Sequence, residues 1–243
     1  GDIYAVDEEY GIRKWDAATG KVSTFIKHGT TNIVDGQPLN ASSRMNVNHL
    51  MSLLFDSKGN LLISADTGNN AAKVYRVDLA TKVVTHYAGG GTAHDGGYSA
   101  HQVSIVSGLG IAIDEEDSLY FFSSCDGTFD EWSSALNILK IPRNPDGTAG
   151  TSEKIMGNCT RNNVTGWGQP AVNASVGSID YPYLSGIAAW DKGNVIYVAV
   201  YGDVDYKIIN GILYQANLPD FYRTKWILYN RDDGYLYTSN NVG

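Results

Sequence analysis

The sequence predicts an all-β chain folded as a β-propeller of four-stranded blades. Three observations carry that prediction. A phrase recurs four times: a short apolar run, an Asp, a polar turn, then a second apolar-aromatic run. It occupies residues 52–66, 110–123, 186–200 and 226–239. Two apolar runs around such a turn are a hairpin signature, and recurrence marks a repeat architecture. The composition agrees: 11% of residues are aromatic, with 16 Tyr, and 27 are Gly. Tyr suits pleated, half-buried surfaces, and Gly suits tight turns. Finally, most hairpins are followed by further strand-like segments, giving units of strands a, b, c and d.

In chain order, the first unit offers strands b, c and d at 2–7, 11–16 and 21–26. The second offers all four at 52–56, 59–66, 72–78 and 82–88. The third has strands a and b at 110–114 and 118–123, an insertion at 125–135, then strands at 136–141 and 153–156. The fourth has strands a, b and c at 186–191, 195–200 and 211–216. The last has only a and b, at 226–232 and 234–239. Strand a is the most uniformly apolar, as expected of a strand with neighbours on both faces. Four-stranded units repeated in this way describe a propeller. The whole chain, 1–243, reads as one such domain. Because the first unit lacks strand a and the last lacks c and d, we expect it to be part of a longer protein, with an incomplete ring.

The units carry a recognisable wording. Gly11-Ile-Arg-Lys-Trp-Asp16, Thr19-Gly-Lys-Val-Ser-Thr24, Gly110-Ile-Ala-Ile-Asp114 and residues 58–70 are similar to NHL-repeat propellers, and the likeness runs through most of the chain. That resemblance implies six blades; five is the alternative the strand count leaves open.

Charge narrows the partners. The formal net charge is −8, with 18 Lys and Arg against 26 Asp and Glu. Such a surface repels a phosphate backbone, so nucleic acid is not expected. No apolar run is long enough to span a bilayer.

Chemical motifs are sparse. The recurring Asp56, Asp114, Asp191 and Asp232 read as turn openers, because Asp accepts hydrogen bonds from its own backbone there. His28, His49, His86, His94 and His101 lack zinc-type spacing, although His94, Asp95 and His101 share one loop. No 12-residue calcium loop, nucleophile elbow or phosphate loop is present. No catalytic residue, metal ligand or cofactor site is therefore assigned. Four N-glycosylation sequons stand at Asn40, Asn158, Asn163 and Asn173, all in connections between units. Cys125 follows strand b of the third unit and Cys159 its strand d. Both ends lie on one face, so a Cys125–Cys159 disulfide is expected.

Together these features lead us to expect a secreted or cell-surface glycoprotein, a non-catalytic interaction or structural module rather than an enzyme, carrying N-linked glycans and meeting a protein partner or extracellular assembly. Phe129, Trp132 and Trp167 read as cap residues over the sheet or as partner anchors. The first alternative is a secreted metal-dependent propeller enzyme of lactonase or lyase type, which this chain resembles in fold class only. The second is an intracellular scaffold propeller.

Overall fold

The computed structural model describes residues 1–46, 52–66, 71–106, 110–126, 135–160, 164–176, 183–201, 205–216, 224–230 and 233–240. The fold is propeller-like and almost entirely β. Among the described residues five sheets follow one another along the chain. Sheet 1 holds β1 (Ile3–Asp7), β2 (Gly11–Trp15) and β3 (Val22–His28), with the two-residue β4 (Arg44–Met45) parallel to β3. Sheet 2 holds β5 (Ser52–Phe55), β6 (Leu61–Asp66), β7 (Ala71–Val77) and β8 (Val84–Gly89); the short β9 (Ile105–Val106) pairs with β7. Sheet 3 holds β10 (Ala112–Ile113), β11 (Leu119–Ser124), β12 (Leu136–Ile141) and β13 (Glu153–Met156). Sheet 4 holds β14 (Tyr183–Trp190), β15 (Val195–Tyr201), β16 (Tyr206–Ile209) and β17 (Ile212–Gln215). Sheet 5 pairs β18 (Thr224–Asn230) with β19 (Tyr235–Asn240). Within sheets 2, 3 and 4 the a-to-d strands pair as antiparallel neighbours in chain order.

The period-two alternation of a strand explains the stacking. In β11, Leu119 and Phe121 point into the core shared with sheet 2, whereas Tyr120 and Phe122 point into the core shared with sheet 4. In β12, Leu139 and Ile141 go one way and Leu136 and Ile138 the other. In β6, Leu61 and Ile63 face sheet 1, and Leu62 faces sheet 3. These strands carry few polar residues because both of their faces are covered. Full burial of one such side chain contributes about 1.5–3 kcal/mol. Four clusters result, one between each successive pair of sheets; the last joins Ala188, Ala199 and Ile227. The end sheets differ. Ile3 on β1 is 58% exposed and Tyr235 on β19 is 67% exposed, so each shows solvent an apolar group that an inner sheet would bury.

One strand departs from the sequence reading. Residues 211–216 were expected to form strand c of the fourth unit, but β16 occupies that place and Ile212–Gln215 is strand d. The two join through Asn210-Gly211, both at positive φ (50° and 77°), the conformation of a two-residue hairpin turn.

Across the blades, Gly193 fixes the spacing of sheets 3 and 4. Its φ is +82°, and a Cβ there would collide with the Tyr120 hydroxyl, which donates to Asp114 Oδ2 at 2.9 Å. Gly193→Ala should therefore cost about 2–4 kcal/mol from backbone strain and overpacking together. Chemical denaturation checks this; an unchanged midpoint would remove Gly193 from the blade contact.

Candidate functional site

The inner strands β5, β10, β14 and β18 converge on an axial channel of about 670 Å³. Leu53, Leu54, Ile111, Ile113, Ile187 and Ala188 supply the apolar part of its wall. The inner strands come close because they are small where they meet. A Cβ on Gly110 would lie 3.5 Å from the Gly186 Cα, and Ser52 Oγ accepts a hydrogen bond from Ile111 N at 3.2 Å. Polar groups gather where strand a turns into strand b. Asp56, Ser57, Glu115 and Asn230 line that end, with Phe55 and Tyr229 beside them. Tyr229 stacks on Trp190 at 5.2 Å, and Trp190 stacks on Tyr197 at 5.3 Å, so a ladder of rings holds Tyr229 in place.

The carboxylates at this end tie the blades together. Asp56 Oδ1 accepts from Lys58 N and Asn60 N, closing its own turn as the sequence implies. Its Oδ2 also meets Arg76 Nε at 3.0 Å and Arg143 NH1 at 3.3 Å. Arg143 continues to Asp117 Oδ2 at 2.5 Å, and Asp117 accepts from Ser57 N and Ser57 Oγ, both at 2.7 Å. Sheets 2 and 3 are thus joined by two carboxylates and two guanidinium groups, all substantially buried. Asp114 closes a similar turn, accepting from Glu116 N and Ser118 N. Asp191 behaves differently. Its backbone N–H and that of Lys192 donate to Glu115 Oε1 and Oε2 at 3.0 and 2.9 Å, linking sheet 4 to sheet 3. Asp232 lies outside the described residues, and neighbouring Asp233 accepts from Tyr235 N in its place. Asp117, Glu115 and Arg143 are the functional residues that sequence reasoning missed. Glu115 follows Asp114 and Ser57 follows Asp56, both singled out by the repeat, but the Ser57 partner Asp117 is 60 positions away.

The loop containing His94, Asp95 and His101 borders a second cleft of about 500 Å³, with Tyr98. The three side chains do not converge. Asp95 pairs with Lys154 at 3.2 Å, and the backbone O of His94 accepts from Asn137 Nδ2. His101 stacks on His86 with ring centres 4.5 Å apart and bonds to His86 O through Nε2. His86 in turn bonds to Gly89 O at 2.9 Å, and Asp35 Oδ1 accepts from its backbone N–H.

The lactonase-type alternative implies a divalent metal, and the described residues do not fit one. Among the described residues no three His, Cys, Asp or Glu side chains group around a common point. Asp56 has both oxygens committed to backbone, Asn60 and Arg donors. No step below passes through a metal.

Of the other expected sites, Cys125 and Cys159 form a disulfide with Cα atoms 5.6 Å apart. Asn40, Asn158 and Asn173 are exposed, and Asn163 lies outside the described residues. Trp167 is exposed; Phe129 and Trp132 lie outside the described residues. No helix among the described residues is long and apolar enough to cross a membrane.

No family model and no curated protein sequence matches the chain. Solved structures do. A gluconolactonase from Xanthomonas campestris is similar over 98% of this chain at 13% identity, with a TM-score of 0.55. This chain spans 65% of that enzyme's length. A luciferin-regenerating enzyme matches 98% of this chain and 80% of its own at 15% identity and a TM-score of 0.49. A Bacteroides thetaiotaomicron protein of unknown function matches 87% of this chain and 43% of its own at 14% identity and a TM-score of 0.47. The fold is therefore shared with an enzyme. The expectation of a non-catalytic module that is not an enzyme is corrected accordingly: the gluconolactonase match overturns it. Physically, the inner strands leave a cleft of small-molecule size open between them.

Two outcomes test the electrostatics. Arg143→Ala leaves Asp56 and Asp117 without their shared cation and should cost about 3–5 kcal/mol in chemical denaturation; a loss below 1 kcal/mol would mean that Arg143 does not couple the sheets. Burial, followed by the His101 and Lys73 charges, lowers the His86 pKa below its usual 6.5. The folded state thus favours neutral His86, and its contribution is present above pH 6.5 and lost as pH falls through the lowered value. The melting temperature should drop below pH 6.5, and His101→Leu should lessen that drop.

Proposed function

We propose that this chain is an enzyme of the lactonase type, opening a small cyclic ester in the axial channel. The observation that carries the reading is a chamber of ligand size, part apolar and part acidic, between the inner strands of a fold shared with a gluconolactonase. Roles follow from the side chains present. The apolar strands strip water from the ester, and the held ring of Tyr229 offers a flat face against which a lactone ring packs. Glu115 is the carboxylate at the rim that accepts a proton from the water attacking the carbonyl. Its position is fixed by the backbone N–H groups of Asp191 and Lys192.

The Cys125–Cys159 disulfide supports placement in an oxidising compartment, and exposed Asn40, Asn158 and Asn173 support sugar attachment there.

The test is acid release in a pH-stat from a panel of neutral five- and six-membered lactones, with and without added divalent cations. The expected result is turnover above the buffer rate, reduced about 100-fold in kcat by Glu115→Gln with little change in KM; the melting temperature also falls, because one of the two backbone N–H groups loses its acceptor. No acid release under any condition would overturn the reading.

A further inference from the structure

The second cleft, of about 500 Å³, is lined by one loop, residues 90–104 between β8 and β9, and that whole loop is described. Two blades hold its backbone. On sheet 2, Gly89 N donates to Ala100 O at 2.9 Å, and His101 Nε2 bonds to His86 O at 2.9 Å. On sheet 3, Ser152 N donates to Tyr98 O at 2.8 Å, Gly97 N to Ser152 O at 2.7 Å, and Asn137 Nδ2 to His94 O at 2.7 Å. Within the loop, Ala93 N donates to Gln102 O at 2.8 Å and Ser104 N to Ala93 O at 2.7 Å. The cleft is formed before a ligand arrives, which spares the ligand the cost of ordering it.

These same contacts decide what the side chains present. Gln102 Oε1 accepts from Ser99 N at 3.2 Å and from Ser99 Oγ at 2.9 Å, so the amide NH2 is the end left to donate. The carbonyl of His86 only accepts, so His101 Nε2 carries the proton and Nδ1 of the neutral ring is an acceptor. Asp95 is matched in charge by Lys154, and its oxygens keep lone pairs beyond Lys154 and Gly96 N. Tyr98 is 44% exposed and adds an aromatic face. Donor, acceptors and a flat ring therefore line one charge-balanced cleft. They do not meet at a point, as an ion would require. A ring bearing several hydroxyls uses them separately: each hydroxyl both donates and accepts, and the C–H face of the ring packs on an aromatic.

We propose that this cleft binds a neutral sugar ring, with Tyr98 as its platform and Gln102, His101 and Asp95 as partners of its hydroxyls. The cleft follows the end of β8, whereas the acidic end of the axial channel lies at the turn after β5. Strands β5 to β8 alternate in direction, so the two sites stand at opposite strand ends. The sugar site is independent of the lactonase reading.

The test is saturation-transfer NMR titration of protein expressed without N-linked sugars. The probes are the methyl β-glycosides of glucose, galactose, mannose and N-acetylglucosamine, with cyclohexanol as a ring of similar size bearing one hydroxyl. The expected result is a Kd of about 10 mM or tighter for at least one glycoside, and at least about tenfold weaker binding of cyclohexanol. Tyr98→Ala removes the platform. Gln102→Glu keeps an acceptor for Ser99 and replaces the donor by a carboxylate oxygen. Each variant should weaken the bound glycoside about tenfold. If one variant does not fold, the other and the wild-type ranking still decide. No glycoside binding, cyclohexanol binding as tightly as the glycosides, or glycoside binding untouched by both variants overturns the proposal.

Discussion

Everything in this molecule depends on the inability of a four-stranded sheet to bury itself. Such a sheet has two faces and no third layer of its own, so each face must be covered by a neighbour. Leu119 and Phe121 commit β11 to one side while Tyr120 and Phe122 commit it to the other. Because adjacent residues serve different interfaces, the strand cannot shift by one position without exchanging both cores. The inner strands are thereby brought to a common axis, and the channel is a by-product of the packing rather than a separately built pocket.

Buried charge then adds register to adhesion. The apolar cores hold the sheets together without fixing their height relative to one another. Arg143, reaching Asp56 on one blade and Asp117 on its own, does fix it. Glu115 does the same for the next pair through backbone donors. Buried ion pairs seldom add much net stability, but they penalise the wrong alignment heavily. The same carboxylates form the polar end of the channel, so blade alignment and channel chemistry are set by one group of residues.

Much of the fold was legible because the repeat writes it four times over. Strand pairs a and b, the split of the third unit around its insertion, and the turn role of Asp56 and Asp114 all follow from local patterns. Strand β16 was missed because Tyr206-Lys-Ile-Ile209 is a short stretch just ahead of the stronger 211–216 signal, and the Asn210-Gly211 turn between them was overlooked. The site was less legible for a physical reason. Each apolar wall residue of the channel is an ordinary residue of a strand, and only the meeting of four distant strands makes it a wall. The charged contacts were hidden likewise: Arg143 and Asp56 are 87 positions apart. Without a nucleophile motif or metal spacing in the text, the sequence favoured a non-catalytic reading, which the shared fold corrects.

The Cys125–Cys159 bond closes a loop that begins where β11 ends and finishes just beyond β13. That loop contains β12 and β13, so the outer half of the third blade belongs to one covalent ring and is tied back to the end of β11. Mechanically, an outer strand that would otherwise peel away from the rim is leashed here, and fraying of this blade from its edge inward stops at the sulfur bridge.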